Sequence, residues 1–340
     1  MHLTQNEEKI LNSIIIPSEN NPNKPEFPPN NPKYPSTPTF KIEVPSFSNV
    51  WLKDESVNPT GTHKDRMAWE MIVAYKQLLI AKKEGNTKKL PQMSLISSGS
   101  AANAIQQMLK KYELPNLKVL VDYKLDLGIK KALEKIGCEL YETDLSKRVL
   151  LTNDILNLTN NPNGIDITSD DSLGPYDVFY DWMSYDLINQ EADYVFVPYG
   201  TGHLYENIVN VATRETKNLF FHDARFKANS KKIRTCNFLG ATTNNPSSKA
   251  DKLYSPHLPF VHFDTKWIKL AVAHGYIGAD SNVYAIQERY IDSALKIAEK
   301  NSITCEPSGI AGLALFLQMK NKVPKNKKIL IVNTGKTKYS

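Results

Sequence analysis

Cysteine is scarce in this 340-residue chain, with only Cys138, Cys236 and Cys305, all far apart. An odd, sparse set gives no disulfide framework, so a reducing, cytoplasmic setting is expected. The histidines show no metal-ligand spacing, so no metal is expected. No apolar run approaches the ~18 residues that a bilayer crossing requires, so no membrane span is expected. A charged segment followed by an apolar core is missing from the N-terminus. Ile14-Ile15-Ile16 is too short for that core, and no signal peptide is visible. Neither sign of charge dominates: 42 Lys and Arg against 36 Asp and Glu leave a formal +6. That excess suits an anionic ligand without demanding nucleic acid, and no aromatic-studded basic motif accompanies it. No internal repeat is found.

What the chain does have is apolar substance, 41% of its residues, enough for one large α/β domain or two smaller ones sharing a cleft. Strand-like and helix-like runs alternate along most of the length, which argues for a mostly parallel sheet. Residues 17–38 hold eight of the 20 prolines and many asparagines. The segment 1–40 therefore reads as an extended Pro/Asn-rich arm draped over the body. From residue 93 two βα units follow in quick succession. Ser94-Leu95-Ile96 reads as a strand, Ala101–Tyr112 as a helix, Lys118–Val121 as a strand, Asp126–Ile136 as a helix and Cys138–Tyr141 as a strand. Residues 93–145 are expected to form a small mobile α/β subdomain, with 41–92 and 146–340 forming the larger one.

Three strand-to-helix hand-overs carry candidate chemistry. A helix leaves its first N–H groups unpaired and partially positive, and small residues there let an anion approach. Gly200-Thr201-Gly202-His203, after the strand Tyr194–Pro198, has that form. It reads equally as a phosphate cradle or an ordinary tight turn. It is not a dinucleotide fingerprint, because Tyr205 stands where the third glycine belongs. Ser97-Ser98-Gly99-Ser100 follows the same logic, although alone it is more often a plain helix start. The third is Asn58-Pro59-Thr60-Gly61-Thr62-His63-Lys64-Asp65-Arg66. Turn chemistry explains Asn58, Pro59 and Gly61 but not Lys64, which sits where the chain turns inward. A lysine in a water-poor site can lose its proton and act as a Schiff-base nucleophile. Beside it stand a loop for a phosphate, a loop for a carboxylate and a hydroxyl at a strand end. Those are the parts needed to use pyridoxal 5'-phosphate (PLP) on an amino acid.

In this combination the sequence resembles the tryptophan-synthase-β-like, fold type II, family of PLP enzymes, in register from about Thr37 to Tyr339. The wording of the lysine motif is closest to threonine synthase. The resemblance implies two open, twisted, mostly parallel sheets flanked by helices, with PLP in the cleft between subdomains. It implies Lys64 as the catalytic, cofactor-carrying lysine. Gly200, Thr201, Gly202, His203 and Leu204 then fall around the PLP phosphate. Glu306, in Glu306-Pro307-Ser308-Gly309, lines the cofactor site, and the Thr334 hydroxyl meets the pyridine nitrogen. Ser97, Ser98, Gly99 and Ser100 fall on the loop that binds the substrate carboxylate. A neutral hydroxyl at the ring nitrogen makes a weaker electron sink than a carboxylate does, which favours β/γ-elimination or replacement. The implied activity is a lyase of the threonine synthase/dehydratase type. A serine/threonine dehydratase or a cysteine-synthase-like enzyme is the alternative.

Two positions depart from the family pattern. Ser100 stands where an asparagine is usual, and Asn103, one helical turn on, joins the candidate substrate-binding set. His203 occupies a position often held by glycine. These departures keep open a PLP-binding protein without turnover. An NAD-dependent enzyme is excluded by the missing third glycine. The expected partners are a small amino-acid substrate and a second copy of the chain in a homodimer, with no nucleic acid and no membrane. The basic stretch Arg225, Lys227, Lys231, Lys232, Arg234 reads as a solvated loop, with recruitment of a phosphorylated substrate as the sharper alternative.

Overall fold

A computed structural model describes residues 34–85, 90–168, 179–218, 221–254 and 266–339. Most of the expected N-terminal arm, residues 1–33, lies outside the described residues. Two sheets organise the rest. The larger has the order β1-β2-β10-β7-β8-β9. Its strands are β1 (Thr39–Lys41), β2 (Val50–Asp54), β7 (Tyr194–Pro198), β8 (Asn237–Thr242), β9 (Asn282–Ala285) and β10 (Ile329–Asn333). Only β1 runs antiparallel to its neighbour. The smaller sheet, β5-β4-β3-β6, is parallel throughout. It contains β3 (Met93–Ile96), β4 (Lys118–Asp122), β5 (Glu139–Thr143) and β6 (Ile165–Asp166), so it extends past residue 145 in sequence.

The central strands β7 and β10 are buried along their whole lengths, as expected of parallel strands covered on both faces. On one face, Phe196 of β7 meets Phe316 of the helix Ala311–Met319 edge-on at 5.4 Å, and Phe47 closes on the same ring at 4.9 Å. Truncating a fully buried phenylalanine of this kind to alanine costs about 3–5 kcal/mol. On the other side, the helix Lys64–Lys83 contributes Ile72, Tyr75 and Leu79 to one apolar cluster, shared with Ile105 and Leu109 of the helix Ser100–Lys111. This helix pair couples the two sheets. No helix among the described residues is long and apolar enough to cross a membrane.

Sheet direction places the site. The carboxyl ends of β2, β3, β7 and β10 all run into the loops singled out by sequence. In open α/β sheets, ligands bind beyond those ends.

Candidate active site

Those loops surround one cavity of about 450 Å³. Its walls include Lys64, Ser97, Ser98, Ser100, Gly200, Thr201, Gly202, His203, Leu204, Glu306 and Thr334. Two candidates fall outside the lining. Gly99 is the N-cap of the helix Ser100–Lys111, at φ +127°, where an added Cβ would lie 2.4 Å from the Tyr339 hydroxyl. Asn103 is buried and turned toward the C-terminal tail: it donates to the Lys338 carbonyl at 3.1 Å and accepts from Gln107 at 3.0 Å. It lies one helical turn beyond Ser100 and meets Lys338 of the tail, next to Thr337, the partner of Ser100.

Lys64 is the first residue of its helix, and the loop before it is tightly pinned. Gly61 has φ +82°, and a Cβ there would lie 2.3 Å from the Lys336 carbonyl oxygen. Asp65 accepts from the Thr60 hydroxyl at 2.7 Å and its N–H at 3.1 Å. Behind the loop, Arg66 makes a two-point ion pair with buried Glu55 at 2.7 and 2.9 Å. Burial alone would raise the Glu55 pKa, but the charge and hydrogen bonds of Arg66, with Thr37 and Lys53, hold it at about 2. The motif residues around Lys64 therefore fix its backbone. The Lys64 ammonium donates to the Tyr180 hydroxyl at 2.9 Å, and the His63 ring packs on the Tyr180 ring at 5.4 Å. Burial, then the charge of Lys64, pushes both His63 and His203 down to about 3, so both rings face the cavity neutral.

The glycine loop runs directly into its helix. The helix begins at His203, with Gly202 as an N-cap at φ +92°, a residue with no side chain to cap the first turn. Since Gly202, His203 and Leu204 line the cavity, the positive end of this helix opens onto it. On the opposite wall, Ser97 uses its hydroxyl internally, accepting from the Gly99 and Ala102 N–H groups. Ser100 exchanges a hydrogen bond with Thr337 at 2.6 Å. Thr334 is fixed through its backbone, donating to the Gly309 carbonyl and accepting from the His63 N–H.

Sequence reasoning missed Tyr180 and Lys252. Lys252 lies in a short turn after β8 and places its amine 2.6 and 2.8 Å from the two Glu306 carboxylate oxygens. The same amine lies 3.1 Å from Thr337 Oγ1 and 3.5 Å from Ser100 Oγ. Neither residue belongs to a motif; only folding brings them to the cavity. The basic stretch 225–234 goes elsewhere. Arg225 is buried against Asp181 and Asp223, Lys232 pairs with Asp193, and Arg234 donates to the Gly275 and Thr216 carbonyls. Among the described residues no group of three or more His, Cys, Asp or Glu is placed to hold a metal ion.

A lysine amine, a helix N-terminus beyond a glycine turn, and a threonine at the end of a central strand all line the cavity and form a donor set that fits PLP. The family model for pyridoxal-phosphate dependent enzymes matches residues 32–335, so the chain belongs to that family and PLP is its cofactor. Among solved structures it is similar to an O-ureido-L-serine synthase, at 14% identity and TM-score 0.63, with 88% of this chain and 89% of that one covered. It is also similar to an O-acetylserine dependent cystathionine beta-synthase from Helicobacter pylori, at 14% identity and TM-score 0.59, covering 88% and 92%. A T.th. threonine deaminase is similar at 16% identity and TM-score 0.57, covering 86% and 90%. These likenesses establish the fold. A search of curated proteins found no match.

Proposed function

We propose that this protein catalyses elimination or replacement at Cβ or Cγ of an amino acid, in the manner of threonine synthase acting on O-phosphohomoserine. The observation that carries the reading is the convergence of Lys64, the helix start at Gly202 and the serine loop on one cavity. PLP, when bound, supplies the electron delocalisation that such chemistry requires. The protein's part is to bind, orient and move protons. The helix N-terminus at Gly202–Leu204 would hold the cofactor phosphate, and Thr334 would offer a neutral hydroxyl to its ring. Ser98 and the first N–H groups of the helix Ser100–Lys111 hold the substrate carboxylate. Lys64 Nζ, when free, would take the substrate's α-proton as general base, with the Tyr180 hydroxyl, 2.9 Å away, positioning that amine.

The dehydratase and cysteine-synthase-like readings use these same groups and differ in leaving group and incoming nucleophile. The distinguishing experiment offers purified holoprotein O-phosphohomoserine, serine, threonine, and O-acetylserine with sulfide. Threonine and inorganic phosphate are expected from the first. A 2-oxo acid from serine or threonine, or cysteine from O-acetylserine, would replace this assignment by one of the alternatives. Turnover of none would favour a binding protein.

A further inference from the structure

The cavity holds a second lysine that neither the cofactor nor the substrate's α-groups call upon. Lys252 is anchored by its backbone N–H, which donates to Ser308 Oγ at 3.1 Å, and by its carbonyl, which packs against Gly200. Its amine lies between the two walls: Glu306 and Thr337 belong to the larger unit, while Ser100 begins a helix of the smaller one. The side chains of Lys252 and Glu306 are only 25% and 19% exposed. At that depth an unpaired charge is costly, and Glu306 pairs with the ammonium and holds it in position while no substrate is present. A substrate carboxylate or phosphate presents oxygens of the same chemistry as Glu306, so it competes with Glu306 for the ammonium.

We infer that Lys252 is a specificity-determining residue which reads a second anionic group, a carboxylate or a phosphate ester, on the amino-acid substrate, with Glu306 as its resting counter-ion. The inference rests on the amino-acid reading of the cavity and narrows it. The α-carboxylate has donors of its own at the first N–H groups of the helix Ser100–Lys111, ahead of the Ala102 N–H that Ser97 caps. Lys252 lies beside that start, its amine 3.5 Å from Ser100 Oγ, within reach of the far end of a short side chain. In binding there, a dianionic substrate bridges both walls, because Lys252 already touches Ser100 and Thr337 together.

The test uses matched pairs that differ in the second anion: O-phospho-L-homoserine against L-homoserine, and L-aspartate against L-asparagine. Dissociation constants are read on the holoprotein from the cofactor's absorbance change and, independently, by calorimetry. The wild type is expected to favour the charged member of one pair at least tenfold, and the favoured pair distinguishes phosphate from carboxylate. Lys252→Gln, which keeps a hydrogen-bonding side chain but removes the charge, is expected to abolish that preference and leave the neutral member within twofold. Lys252→Arg is expected to retain part of it. Binding of the neutral members with no charge preference in the wild type overturns this inference alone. Equal weakening of both members in Lys252→Gln also overturns it, since that marks a structural or α-carboxylate role. Failure of every amino acid to bind overturns the amino-acid reading as well.

Discussion

Lys64 occupies the first turn of a helix whose preceding loop cannot be altered without moving it, and each neighbour constrains its chemistry differently. Asp65 and Arg66 hold backbone, whereas Tyr180 holds the amine itself. Holoprotein is expected to be yellow, and borohydride reduction to fix the cofactor to Lys64; peptide mapping that finds the adduct on another lysine would refute the assignment. Gly202 can be tested separately. At φ +92° it is strained for any L side chain, and an added Cβ would lie 2.7 Å from the Tyr199 hydroxyl and 2.8 Å from Glu206 Oε1. Gly202→Asp adds a charge at an anion-binding helix end as well. PLP affinity in that variant is expected to fall at least tenfold, about 1.4 kcal/mol, by equilibrium dialysis. Unchanged affinity would reduce the loop to a turn. At Thr334, loss of the hydroxyl in Thr334→Val is expected to cost about 1 kcal/mol of cofactor binding, with the fold intact by circular dichroism.

Among the elements, those with clean local signals were legible in the sequence. Tyr194–Pro198 reads as a strand and is one. Asp126 reads as the start of a helix, and its side chain does cap the helix Leu127–Ile136. Contributions from remote or short segments were not legible. The two-residue β6 has no periodicity to read and takes its place in the sheet only by pairing with β3. The C-terminal tail carries no strand pattern, yet it fastens the site. Its Lys336 and Lys338 N–H groups donate to the Gly61 and Thr60 carbonyls, its Thr337 hydroxyl meets Ser100, and its Lys338 carbonyl accepts from Asn103. The tail thus ties the lysine loop to the opposite wall, which no local sequence rule anticipates. Removing residues 336–340 is expected to lower PLP retention about tenfold on gel filtration, while the strands and helices of both sheets persist. Full cofactor retention in the truncated chain would show that the tail only covers the site.

Across the whole molecule, buried titratable groups give stability a pH dependence with two limbs of opposite sign. His63 and His203 are held near 3 by burial and by Lys64, whereas in an unfolded chain histidine titrates at about 6.5. Below about 6.5 the unfolded chain takes up protons that the fold refuses, so their contribution is whole above that pH and is lost on acidification toward 3. Glu70 acts in reverse. Burial, then the nearby Asp181 carboxylate, raises it to about 8 against the pull of Arg225. Its contribution is whole below its ordinary 4.5 and is lost as pH rises through about 8. Glu55 adds to the acid limb: held at about 2, its contribution is whole well above its ordinary 4.5 and is lost as pH falls from there toward 2. Glu70→Gln, which keeps the shape and cannot ionise, is expected to stabilise the protein at pH 8 by up to about 4 kcal/mol, since the rise from 4.5 to about 8 is expressed almost fully there at about 1.4 kcal/mol per pKa unit. At pH 4.5 it should leave stability nearly unchanged. His203→Gln is expected to flatten the acid limb and leave the alkaline one alone. Urea midpoints for the wild type and both variants, measured from pH 4 to 9, decide the matter. A Glu70→Gln gain equal at pH 4.5 and pH 8 would mean that the carboxyl is not the group being titrated.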